Sequence, residues 1–183
     1  MKKYLMIIVS VLLLIAIAAG CAGNTPADKP EEKTDTDVTT EGMYIVLNGT
    51  KVGIGTTYAD IKDGLGAETQ PEDVILPCDE GDSFRNVMHH YEGATITENR
   101  DGKVCEIEVS NMHGNTDNVT LMGKVKVGDK TEDAVAALGE PDNWPTPEDD
   151  YSLVYKYDNC FVYVFLDPDT NKATVSEISF MGF

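Results

Sequence analysis

One stretch of this chain occurs twice, and a repeat constrains a fold before composition does. Gly55-Thr-Thr-Tyr-Ala-Asp-Ile-Lys-Asp-Gly-Leu-Gly66 is matched by Gly128-Asp-Lys-Thr-Glu-Asp-Ala-Val-Ala-Ala-Leu-Gly139. Gly55 and Gly128, Asp60 and Asp133, Leu65 and Leu138, Gly66 and Gly139 hold the same offsets. A second pair follows each copy at a similar distance, Val104-Cys-Glu-Ile107 and Val175-Ser-Glu-Ile178. Each copy reads as a short helix. In the second, Asp129 is placed to cap and Glu132 to complete a capping box. Ala134, Val135 and Leu138 form the apolar stripe. Gly139 and Pro141 stop it. In the first, Thr57 and Asp60 are the capping candidates, Ile61 and Leu65 face inward, and Gly66 ends the helix. Gly64 weakens it by about 1 kcal/mol relative to Ala. Helices this short are marginal alone and need a support.

The strands around them supply one. Met43–Leu47 is β-rich, and Asn48-Gly49 is a strong turn. Residues 87–91, 94–98 and 103–110 follow the first helix. Residues 119–127, 152–157, 160–166 and 174–181 surround the second. Short loops make the neighbours antiparallel. The expected fold class is α+β: two tandem repeats, each a short helical segment on an antiparallel meander, forming one curved sheet with helices on one face. The expected organisation is a leader over residues 1–20, a tether over 21–42, repeat one over 43–116 and repeat two over 117–183.

Lys2 and Lys3 precede an apolar run from Leu5 to Ile17. That run is short for a permanent span, and Ala18-Ala-Gly-Cys21 closes it. The segment resembles the lipobox of bacterial lipoproteins, with Ala18 where Leu is usual. The resemblance implies cleavage before Cys21 and acylation of its thiol. An ordinary signal peptide cut after an Ala-x-Ala-like site is the alternative. Two acyl chains suffice for stable anchoring, at about 0.8 kcal/mol per buried methylene. Residues 22–42 are rich in Asp, Glu, Lys, Thr and Pro, with Val38 the single branched aliphatic. Such a stretch cannot bury enough apolar surface to fold and reads as a tether reaching about 70 Å when extended.

The formal charge is −18, and loss of Lys2 and Lys3 with the leader takes it to −20. That acidity excludes nucleic acid, which needs a basic face. It also leaves any attachment to anionic lipid to the anchor. No nucleophile elbow, phosphate loop or zinc-protease helix is present, so the chain reads as non-enzymatic and without a cofactor.

The pattern Gly-Asp-x-x-x-Asp, an apolar residue, then Leu-Gly-x-Pro and a meander resembles a known repeat. It is shared by the β-lactamase inhibitor protein and the BamE-type envelope lipoproteins. Tandem copies occur in cell-surface lipoproteins of Gram-positive bacteria. The resemblance spans residues 43–183. Repeat one departs from it, with no Pro after Gly66 and with Gly64 inside the helix. It implies an open, concave sheet face and binding to a protein partner in or outside the envelope. No inhibitory loop matches residue by residue, so β-lactamase inhibition is not implied.

Strand alternation locates the open face. Ile107 and Val109 face the helices with Ala94 and Ile96. Cys160, Val162 and Val164 do so in repeat two. Phe161, Tyr163 and Phe165 then lie outside. Three aromatics in a row are either partner anchors or covered by a loop or the tether. Trp144, in a loop with Pro145 and Pro147, is either a partner contact or folded over the sheet edge. His89 and His90 point to opposite faces and do not share a metal, and His113 with Cys105 lacks zinc spacing. No metal site is expected. Asp167-Pro-Asp-Thr-Asn171 reads as a hairpin turn, because Lys172 stands where a calcium loop needs Gly. Apart from Cys21, three cysteines remain. A Cys78–Cys105 bridge with Cys160 free is one reading, and three reduced thiols the other.

The expected function is a membrane-anchored, extracytoplasmic, non-catalytic protein-binding or scaffold module. A solute- or metal-binding lipoprotein, or an accessory to an envelope hydrolase, is the alternative.

Overall fold

Ten strands and two short helices make up the regular structure of a computed structural model that describes residues 42–75, 86–145 and 151–183. Cys21, the leader, nearly all of the tether and Cys78 lie outside the described residues. In chain order come β1 (Ile45–Leu47), β2 (Thr50–Val52), α1 (Tyr58–Leu65), β3 (Gln70–Ile75), β4 (Asn86–Tyr91), β5 (Ala94–Glu98) and β6 (Val104–Ser110). There follow β7 (Val119–Leu121), α2 (Thr131–Leu138), β8 (Ser152–Lys156), β9 (Cys160–Leu166) and β10 (Val175–Gly182). Among the described residues no helix is long and apolar enough to cross a membrane.

The architecture corrects the expected fold class. The molecule is mostly β, with two antiparallel sheets rather than one. The larger has seven strands in the order β3-β4-β5-β6-β10-β9-β8, and the smaller has three, β2-β1-β7. The helices are eight residues each, too small to form a layer of a tandem α+β repeat. The lead-in segments pair with each other: Ile45 lies opposite both Val52 and Leu121. Strand propensity shows that a segment is extended and leaves its partner open. The two sheets share one core, to which the small sheet gives Ile45, Leu47, Val52, Val119 and Leu121. The small sheet also ties down α1: Asn48 Nδ2 donates to Leu65 O at 2.6 Å, and Thr50 Oγ1 donates to Gly64 O at 2.8 Å. Two orphan carbonyls at the helix end are satisfied this way.

Helix entry also differs from expectation. α2 starts at Thr131 behind Lys130, with no side-chain cap. Asp129 Oδ2 instead accepts the Lys126 N–H at 2.7 Å and closes the preceding turn. At the other end Gly66 (φ 94°, ψ −167°) and Gly139 (φ 93°, ψ −177°) occupy a region that only glycine enters without strain.

The large sheet separates its two faces by strict register. Tyr155, Val162, Phe180, Ile107, Ile96 and His89 form one transverse row on the core side. Val154, Tyr163, Ser179, Glu108, Thr95 and His90 form the adjacent row on the far side. Outside these rows the register shifts in β3, between Gln70 and Asp73, in β10, between Val175 and Glu177, and in β6, where a β-bulge makes Thr97 pair with Glu106 but Glu98 with Val104. Cys105 is the extra residue, and Val104 takes the buried place. Cys105 therefore does not share the inner layer with Ile107 and Val109. β3 is an edge strand with every residue exposed, and Pro71 is tolerated there because an edge has N–H groups to spare.

Candidate binding face

β9 alternates without interruption. Cys160, Val162, Val164 and Leu166 are buried on the core side, and Phe161, Tyr163 and Phe165 are half-buried on the other. The last three form a column. Phe161 and Tyr163 centroids are 6.2 Å apart, and Tyr163 and Phe165 stack at 6.0 Å with 20° between their planes. Phe183, itself 74% exposed, extends the column with its ring 5.4 Å from Phe161. Lys156 Nζ, from the neighbouring β8, lies 5.9 Å from the Phe161 centroid, within cation–π reach. Among the described residues, no helix packs on this side of β9.

Beside the column the register places acidic side chains. Glu177 on β10 is opposite Phe165, Ser179 opposite Tyr163 and Met181 opposite Phe161. One strand further, Glu108 is opposite Ser179 and Glu106 opposite Met181. Glu108 Oε1 meets His113 Nε2 at 2.8 Å. Partial burial pushes the Glu106 and Glu177 carboxyls above the usual carboxylate range, and the charge of Glu108 adds to both. His113 opposes that rise at Glu177. Like charges held in a partly desolvated place leave these side chains under-compensated.

Trp144 is not brought to this column. It is 49% exposed and lines a separate, mainly apolar cleft of about 710 Å³ with Val135, Thr131 and Thr174 beside α2. Cys160 is a buried free thiol, and Cys105 is a free thiol whose Sγ donates to Thr97 O at 3.4 Å. Burial raises the pKa of both thiols. Among the described residues no group of His, Cys, Asp and Glu is arranged to hold a metal ion.

A polar cluster on the core side escaped sequence reasoning. The Tyr58 ring stacks on His89, with centroids 3.8 Å apart. The Tyr58 hydroxyl donates to Glu68 Oε1 at 3.1 Å and accepts from the Tyr91 hydroxyl at 2.5 Å. His89 Nδ1 is 3.1 Å from the same Glu68 oxygen, and its Nε2 faces Glu98 Oε1 at 3.4 Å. These groups underlie a polar cleft of about 450 Å³ that Lys62, Asp63 and Glu72 also line. Desolvation by burial raises both phenols above the usual tyrosine value, so neither supplies a base or nucleophile near neutrality. Their hydrogen bonds are spent on one another. The cluster fastens α1 and the chain before β3 to β4. The only signal in the sequence was the i, i+2 spacing of His89 and Tyr91.

No family model matches the chain, and no curated protein matches it. Among solved structures, it is similar to an extracellular protein containing an SCP domain from Bacillus anthracis str. Ames. The TM-score is 0.45 at 8% sequence identity, over 88% of this chain and 50% of that one. The chain thus spans about half the length of that protein. A likeness of that size carries no argument about fold or function.

Proposed function

We propose that the chain is an extracytoplasmic lipoprotein, anchored through acylated Cys21, whose folded part binds a protein partner and performs no chemistry of its own. The observation that carries the binding reading is the column of Phe161, Tyr163 and Phe165 on a sheet face that no helix covers among the described residues. Rigid aromatic side chains present large contact area at low entropic cost and are the usual anchors of interfaces. The resemblance of the repeated helix segment to envelope-lipoprotein repeats supports the same reading. The lipobox-like Ala18-Ala-Gly-Cys21 supports the address.

Two experiments test it. Radiolabelled palmitate enters the wild type and not Cys21→Ala; equal labelling rules out the anchor. Capture from detergent-solubilised envelopes retains a stoichiometric protein on the wild type and loses it on the triple variant Phe161→Ser, Tyr163→Ser, Phe165→Ser. Retention of the same protein by the folded triple variant rules out this face.

A further inference from the structure

The aromatic column adjoins carboxylates rather than more apolar surface, and that narrows the chemistry of what it takes. Glu177 sits one strand from the rings and Glu106 and Glu108 two strands away, or about 5 and 10 Å at the usual strand spacing. Among the described residues neither Glu106 nor Glu177 has an ion-pair partner. The protein itself shows what the rings accept, since the Lys156 ammonium lies over Phe161. Resting on the reading of this face as a binding surface, we propose the class of its partner. The face takes an extended protein segment bearing lysine or arginine at alternate positions, with cationic heads at Glu106, Glu108 and Glu177 and aliphatic stems along the rings.

The geometry fits such a segment. Glu106 and Glu108 are two residues apart on one strand, roughly 6.8 Å, which is also the repeat of alternate side chains in an extended chain. A lysine or arginine stem covers apolar surface while its head reaches a charge. Arginine adds a planar fork for carboxylates and a face for rings. Burial first, and the Glu108 charge after it, raise the Glu106 and Glu177 carboxyls, and a cation offsets the second of these causes. Charge also argues against other occupants. Residues 22–42 carry more Asp and Glu than Lys, and a second copy of a chain with formal charge −18 repels the first. An anionic lipid surface is repelled likewise.

The test uses the full-length chain in neutral detergent and three labelled peptides. They alternate threonine with lysine, with glutamine or with glutamate, and binding is read by fluorescence anisotropy. The lysine peptide is expected to bind at least about ten-fold tighter than the glutamine peptide, with salt weakening it. The glutamate peptide does not bind. Glu106→Gln with Glu177→Gln lowers affinity about ten-fold. Removing two charges elsewhere, by Glu132→Gln with Asp133→Asn on α2, leaves it unchanged. Equal losses in the two double variants overturn the inference, because general acidity then explains the binding. Equal binding of all three peptides that the aromatic triple variant abolishes overturns the charge requirement and leaves the binding face standing. Absence of binding by any peptide overturns the inference, and envelope capture then decides the binding face separately. Self-association strengthened by the Glu106→Gln, Glu177→Gln pair identifies a second copy as the occupant and overturns it too.

Discussion

Phe165 and Glu177 are register partners across β9 and β10, on the side of the large sheet away from α1 and α2. An aromatic ring therefore stands beside a carboxylate that burial holds above its usual pKa.

The two faces of the sheet predict different costs. Phe180 is fully buried on the core side, and Phe180→Ala is expected to destabilise by about 3–5 kcal/mol. Phe161 is half-buried, and Phe161→Ala is expected to cost about 1 kcal/mol, in line with partial burial. Chemical denaturation of both variants checks this. Similar costs for the two would place Phe161 in a core.

The carboxylates predict an inverted pH effect. A carboxyl whose pKa is raised by folding holds its proton more tightly in the folded state. Stability then falls as pH rises through the interval between its ordinary and raised values. Glu106→Gln with Glu177→Gln is therefore expected to be more stable than the wild type near neutrality. The two should converge at acid pH, below that interval. Melting temperatures across pH measure this. A double variant less stable than the wild type at neutral pH contradicts it.

Glu68 accepts from Tyr58 and pairs with His89, so Glu68→Ala leaves two mostly buried polar groups without their partner. A loss of about 1–3 kcal/mol is expected. Hydrogen exchange in β4 should rise with it, since His89 is on that strand. Unchanged stability would show that water replaces the carboxylate.

Gly93, in the turn between β4 and β5, has φ +79°, and an added Cβ would stand 2.5 Å from Asn115 O and 2.8 Å from Thr116 Cα. Both obstacles are backbone. Gly93→Ala is expected to cost about 1–3 kcal/mol through strain and overpacking. A wild-type melting temperature in this variant would refute the close approach.

The alternation in β9 made its faces legible from the residues alone, as did the Asp167–Asn171 turn, where Asp167 Oδ1 accepts the Asp169 N–H at 2.9 Å; in β5 it did not, since Thr95 and Thr97 are buried along with Ala94 and Ile96. Other features were hidden for physical reasons. The bulge at Cys105 inserts one residue without any change in residue type, so alternation counted through it misplaces the thiol. β3 is polar and contains Pro71, because an edge strand needs no apolar face. The pairing of β1 with β7 joins segments far apart in the chain, and neither carries a mark of its partner. That pairing turned the expected single sheet of an α+β repeat into two sheets. Asp129 had two backbone donors to choose between, and the turn won over the helix. The carboxylates beside the aromatic column were visible as residues, but only the β6–β10 register brings Glu106 and Glu108 next to them.

Site-specific photo-crosslinking in intact envelopes tests directly whether a protein docks on the aromatic column. A photoreactive residue is placed at Tyr163, in the middle of the column, and separately at Asp60, exposed on α1. Position 163 is expected to give a discrete protein adduct and position 60 none. Adducts of equal yield from both positions, or none from position 163, would contradict it.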